Sequence, residues 1–205
     1  MITIDWRSCD SMAEIPEQER MEQWVKDLYE QKQRDLWTLE IGSFHGQSTA
    51  LLSQFGPVLA IDLWSNVDHS WADYDGIGER HFVPFIQNMK RLQLVDRVLP
   101  LVASSKVLDY MPFMDFDVVF IDADHDYKEV KRDIFRSEVH LHEGGLLILD
   151  DYKRPGYGYP PLDGQFCPSL TDPWIGVARA VDELLEEENY DIVEHYRGKI
   201  CLKKQ

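Results

Sequence analysis

Three carboxylates and one imidazole fall within the five residues 122–126: Asp122, Asp124, His125 and Asp126 follow directly on the apolar run Val118-Val119-Phe120-Ile121. Carboxylates this close repel one another, so a cation or a functional demand has to hold them together. A second acidic pair, Asp150-Asp151, closes the apolar run Leu146–Leu149 in the same way. Carboxylates gathered at strand ends suit a hard divalent cation such as Mg²⁺, which takes oxygen ligands. His125 sits inside the first group. A histidine titrates near pH ~6.5, so it can act as a base, orient a ligand, or serve only the structure. The plainer reading of the same stretch is a strand end followed by a helix cap, and Asp126 is expected to be that cap.

A second constellation lies upstream, in Glu40-Ile-Gly-Ser-Phe-His-Gly-Gln-Ser-Thr49. Gly42 and Gly46 permit a tight turn and close approach of a ligand to the backbone, leading into a helix N-terminus. Only two of the three glycines of GxGxxG are present, so a dinucleotide fingerprint is poorly matched. Glu40 beside the turn can accept hydrogen bonds or attract a cationic ligand. Asp62 ends the apolar segment VLAID, where an acid can accept both hydroxyls of a ribose. A plain strand–turn–helix corner and a solvated strand-end acid are the alternatives for these two positions.

The elements that must position these groups follow from periodicity. Met21, Trp24, Val25, Leu28 and Tyr29 recur at helical spacing within residues 12–34, which predicts an amphipathic leading helix. Strands are expected at LWTLEIG, VLAID, RVLPLVA, FDVVFID and LLILD, with a turn at Gly144-Gly145 before the last. Helices are expected over 46–55, 78–93 (with Pro84 near its start or at a kink), 126–141 and 174–189, with a short one at SKVLDYM. YDIVEHY and KICLKK, joined at Arg197-Gly198, read as an antiparallel hairpin. Alternating strands and helices of this kind imply an α/β fold, a doubly wound and mostly parallel sheet covered on both faces. The whole chain, 1–205, is expected to form one domain, with 1–34 as a helical extension and 152–173 as a long loop. Ligands of such sheets bind outside the carboxyl ends of the strands, where both acidic constellations fall.

Composition narrows the partners. A formal net charge of −16 over 205 residues, with no basic patch, disfavours nucleic acid. No apolar run approaches the ~20 residues of a membrane span. Cys9, Cys167 and Cys201 are far apart and form no CxxC pair, which fits reduced thiols and a cytoplasmic location.

The motifs taken in register carry a resemblance. Glu40-x-Gly42-x-x-x-Gly46-x-Ser48-Thr49, Asp62, Ala103-Ser104, Phe116-Asp117-x-x-x-x-Asp122-x-Asp124-His125-x-Tyr127 and Gly144-Gly145-x-x-x-x-Asp150-Asp151-Tyr152 resemble the class I S-adenosylmethionine-dependent methyltransferases. The chain is most similar to the metal-dependent small-molecule O-methyltransferases of the catechol, caffeoyl-CoA and macrolide-sugar types. The resemblance implies a Rossmann-like sheet of seven strands, with S-adenosyl-L-methionine as cofactor and Mg²⁺ or another divalent cation. It implies cofactor contacts from Glu40, Gly42, Ser43, Gly46, Ser48 and Thr49, with Asp62 on the ribose and Ser104 near the adenine. Asp122, Asp150 and Asp151 would hold the metal, Asp122 also bordering the cofactor, and Asp122 and His125 would stand at the reaction. The catechol and caffeoyl-CoA types carry a lysine at the place of His125, so its role as base stays open. His45 in the glycine turn is placed to border the cofactor, and His69 is a weaker alternative base. The 152–173 loop, continued by Trp174, has aromatics (Tyr157, Tyr159, Phe166, Trp174) suited to close over a flat or sugar-like acceptor, and 64–75 forms an opposite wall. A small-molecule acceptor follows, and homo-oligomer formation stays open. A metal-independent N- or C-methyltransferase, a nicotinamide-dependent oxidoreductase and a non-catalytic nucleoside-binding protein are the alternatives.

Overall fold

Near-continuous apolar runs make the central strands, because a parallel sheet covered on both faces has no solvent side to alternate with. The computed structural model describes residues 1–9, 13–64, 79–152 and 173–205. Its strands are β1 Thr38–Ile41, β2 Val58–Asp62, β3 Val98–Val102, β4 Phe116–Ile121, β5 Leu141–Leu149, β6 Tyr190–Tyr196 and β7 Lys199–Lys204. They form one seven-stranded sheet in the order β3-β2-β1-β4-β5-β7-β6. The first five are parallel, and β7 runs antiparallel between β5 and β6. This is the Rossmann-like, doubly wound sheet. The order reverses between β1 and β4, so the crevice where such sheets take ligands lies between the Glu40 and Asp122 strands.

Helices α1 Ile15–Lys32, α2 Gln47–Leu52, α3 Glu79–Arg91, α4 Tyr127–Glu138 and α5 Pro173–Leu185 cover the sheet. Proline stands in the first turn of α1, where its missing N–H goes unneeded, and the helix ends at Gln33 in the left-handed conformation, φ 54°. Strand residues alternate between two cores. Val58, Ala60, Val118, Phe120, Ile148 and Cys201 pack with α1, α2 and α3. Leu39, Ile41, Val119, Ile121, Leu149 and Ile200 pack with α4 and α5. Strand parity therefore sends Glu40, Asp62, Asp122 and Asp150 toward the first of these faces.

One element differs from expectation. The Gly144-Gly145 pair lies inside β5, where Gly144 has φ 76° and the β4–β5 register shifts between Phe116 and Val118. The glycines kink the strand and do not end it. SKVLDYM forms a 3-10 helix at Ser105–Tyr110. The stretches 65–78 and 153–172 lie outside the described residues, and with them His69, Tyr157, Tyr159 and Phe166, so the expected lid and wall do too. Among the described residues no helix is long and apolar enough to cross a membrane.

Candidate active site

The glycine corner is built on one buried and one half-buried acid, both surrounded by neutral groups. Glu40 is completely buried on β1. Its Oε2 accepts hydrogen bonds from Ser43 Oγ at 2.8 Å and from the Thr49 hydroxyl. Its Oε1 is buried with no hydrogen-bond partner of good geometry among the described residues. Burial pushes the Glu40 carboxyl up to about 7, against the pull of the Ser48, Thr49 and Ser43 hydroxyls. Asp62 ties the turn to β2. Its Oδ2 accepts the Ser43 and Phe44 amides at 2.7 and 2.9 Å, and its Oδ1 accepts the Trp64 amide at 2.7 Å. Phe44 and Trp64 both sit at positive φ, 44° and 42°, a strained conformation for bulky residues that these bonds hold in place. Three of roughly four acceptor positions of Asp62 are thus used, leaving about one for a ribose hydroxyl.

Both glycines of the turn are required by their neighbours. A Cβ on Gly42 (φ +89°) would lie 1.9 Å from the Asp122 carbonyl oxygen, and one on Gly46 (φ +85°) 2.6 Å from Met89 Cε. The first contact welds the glycine corner to the end of β4. Ser48 and Thr49 are buried in the short α2, and Ser104 stands half-buried at the end of β3, before the 3-10 helix. His45 stacks on Phe44 at 3.8 Å and contacts His81 Nδ1 through Nε2 at 3.1 Å.

The acidic end is built on charge. Asp122 continues the β4 ladder by donating its amide to Ile41 O at 2.9 Å, and Asp150 continues β5 by donating to Ile121 O at 3.0 Å. The antiparallel register Leu149↔Ile200, carried one residue further, sets Asp150 opposite Lys199. The Lys199 side chain is completely buried, its ammonium bonded to Asp150 Oδ2 and 5.0 Å from the centre of the Phe120 ring. Asp151 follows at φ 58° and donates its amide to Asp150 Oδ1 at 2.9 Å. Its Oδ2 lies 2.8 Å from His125 Nε2. Asp122, His125 and Asp151 each offer a ligand atom, all within 4.8 Å of one another. A small cleft opens here, lined by Asp122, Asp124, His125 and Asp150 with Leu149 and Val177.

Packing fixes the loop that carries His125. Asp126 caps α4, accepting the Lys128 amide at 2.9 Å, and Asp124 accepts the Asp126 amide at 2.8 Å. Gly176 of α5 lies so close that a Cβ there would meet the His125 carbonyl oxygen at 2.0 Å. Tyr152 donates to Asp182 of α5 at 2.8 Å, so α5 braces both acidic strand ends.

Burial, the charge of Asp150, the charge of Asp151 and a hydrogen bond with Asp150 hold the Asp122 carboxyl well above its usual range, with Lys199 opposing them. Burial works against the Lys199 ammonium, but the charges of Asp150 and Asp122 outweigh it and hold its pKa above the ordinary lysine value. Lys199 neutralises part of the cluster, and the acids still outnumber it.

All three acids of the expected metal trio stand at this end of the sheet. Asp122 and Asp151 meet, His125 joins them, and Asp150 is engaged by Lys199. Lys199 was not singled out from the sequence. Its one signal is parity: it shares a strand face with Cys201 (buried), where a lysine demands a partner. Glu17, also buried, accepts the Gly198 amide at 3.0 Å and fastens α1 to the hairpin beside Lys199.

Comparison with known proteins agrees with this geometry. The family described as "Methyltransferase domain" matches residues 39–152, which contain both corners. The uncharacterized protein R132 of Acanthamoeba polyphaga mimivirus is 27% identical over 128 residues, 58% of this chain and 52% of that protein. The chain thus spans about half the length of this curated relative. The O-methyltransferase of Bacillus cereus in complex with SAH superposes with a TM-score of 0.69 at 20% identity, covering 97% of this chain and 84% of the other. The O-methyltransferase NovP gives 0.67 at 19% identity, covering 95% and 82%. Likeness at this identity establishes the fold, and the family match goes further. The chain belongs to the class I S-adenosylmethionine-dependent methyltransferases.

Proposed function

We propose that this chain transfers the methyl group of S-adenosylmethionine to a hydroxyl of a small molecule, with a divalent cation held at the acidic end. The observation that carries this reading is the union of the two corners: Gly42 presses on the Asp122 carbonyl, so a ligand in the glycine corner borders the acidic end. At the first corner, the orphaned Glu40 Oε1 suits the cationic amino group of a methionine moiety. At the second, two carboxylates and an imidazole within 4.8 Å suit a divalent ion. When bound, the sulfonium supplies an electrophilic methyl group, and the cation makes an acceptor hydroxyl more acidic.

The chain's own contribution is positioning, which lowers the barrier by removing the entropy of encounter. Asp62 holds the glycine turn in its strained form, α5 braces the His125 loop, and Lys199 fixes Asp150. Asp122 and Asp151 would hold the ion. The test combines calorimetry with S-adenosylhomocysteine and transfer of labelled methyl to a panel of phenols and sugars. Chelator should lower turnover about ten-fold or more and added metal should restore it. Absent cofactor binding overturns the reading as a whole, and turnover unchanged in chelator overturns its cation. One observation favours the second reading, methylation without metal: Lys199 already sets a cation against Asp150. The chelator arm separates the two.

A further inference from the structure

We infer that a second copy of this chain docks on an exposed apolar face made by α4, the 3-10 helix and the segment after it. Four side chains carry this face: Tyr110, Phe113, Phe135 and Val139 are 87%, 72%, 67% and 53% exposed. They surround the link that ties the elements together, in which Arg136, next to Phe135, donates to Asp109, next to Tyr110, at 3.2 Å. Phe113 lies against the His140 ring, 6.1 Å between centres, and Val139 stands one helical turn beyond Phe135. The Phe116 amide donates to the His140 carbonyl at 2.8 Å, which sets the face beside the amino end of β4. The cap of α4, Asp126, is at the far end of the helix, beside the acidic corner. A partner docked here therefore leaves the crevice open.

Helix periodicity makes the face anomalous. α4 turns Val130, Asp133, Ile134 and Ser137 inward, which leaves Lys128, Arg132, Phe135 and Val139 as an exposed outer stripe. The first half of that stripe is charged, as solvent requires, and the second half is apolar. Exposed apolar side chains standing singly are ordinary, but three aromatics and a valine grouped together are not. At ~200 Å² for a whole aromatic side chain, the four present about 500 Å². A stable interface takes about 800 Å² from each partner, so the group supplies an apolar centre and the charged rim the remainder. Charge selects the occupant. Over 105–115 and 127–139, Lys106, Lys128, Lys131, Arg132 and Arg136 balance Asp109, Asp115, Glu129, Asp133 and Glu138, whereas the whole chain carries −16. A basic partner is drawn to the acidic remainder of the surface and an acidic one is repelled by it. Two copies of this chain can meet on this face without net repulsion, and a two-fold pairing sets the mixed rim against itself, where opposite charges can align.

The test is sedimentation equilibrium of the purified 205-residue chain, and it is independent of the methyltransferase reading. At about 50 μM the wild type should sediment at twice the chain mass of 24.0 kDa. The double variant Phe113→Glu/Phe135→Glu should associate at least about 100-fold more weakly. Both positions are exposed, so its circular dichroism should match the wild type. Ile192→Lys alters an exposed apolar residue on the edge strand β6, and it should leave the association within about two-fold of the wild type. Raising salt from about 0.05 to about 0.5 M should tighten the association several-fold, because it screens the repulsion between the acidic remainders. A monomeric wild type, an association that survives the double variant or is lost in Ile192→Lys, or one that salt weakens, each overturns the inference.

Discussion

The two corners of the crevice bury acids by opposite means. At the glycine corner, Glu40 and Asp62 are surrounded by hydroxyls and backbone amides. At the acidic end, Asp122, Asp150 and Asp151 are surrounded by each other, by Lys199 and by His125. Neutral donors make a cradle that is open in charge, with Glu40 Oε1 unmet among the described residues. Charged neighbours make a site whose geometry depends on its ions, because removing Lys199 leaves the acids in uncompensated repulsion. The first arrangement suits recognition of a cofactor of fixed shape, and the second suits a metal.

The sharpest way to break this contrast is to remove the protein's own cation. Lys199→Ala should destabilise the fold by about 3–5 kcal/mol in urea unfolding, because Asp150 is left buried and uncompensated. Recovery of most of that loss in Asp150→Leu/Lys199→Met would confirm that the pair, not the lysine's volume, is at issue. A loss under about 1 kcal/mol would mean water reaches Asp150 freely.

The glycine corner should respond to pH where the acidic end responds to charge removal. Glu40 is raised in the folded chain from 4.5 to about 7, so the folded state holds a proton that the unfolded state has released. Stability from this group is present below pH ~4.5 and is lost as pH rises to about 7, a fall of ~3 kcal/mol. The difference in stability between the wild type and Glu40→Gln should therefore move in the mutant's favour across that window. A difference independent of pH would show that the hydroxyls alone hold the charge.

Gly42→Ala touches both corners at once. The strained φ and the contact with the Asp122 carbonyl oxygen should together destabilise by about 2 kcal/mol. The same change should weaken cofactor binding and metal binding in parallel. Loss of one without the other would show that the two corners are mechanically independent.

Much of this was legible in the chain. Apolar runs ending in Glu40, Asp62, Asp122 and Asp150 announce a parallel sheet with its functional groups at the carboxyl ends, because strand burial and side-chain parity are local properties. Asp126 as a helix cap was legible for the same reason. Gly144-Gly145 misled, since a glycine pair breaks a strand or kinks it according to the register of its neighbour, here shifted between Phe116 and Val118.

What only the tertiary structure decided is which charges meet. Lys199 opposes Asp150 because β7 inserts between β5 and β6 in one register, and a shift of one residue would turn the lysine to the other face. His125 joins Asp151 because Gly176, 51 residues further along the chain, lets α5 press on its backbone. The sequence by itself determined the fold, the glycine turn and the presence of a surplus of buried acid. Long-range pairing determined what balances that acid, because Coulomb interactions depend on distances in space that no local pattern encodes.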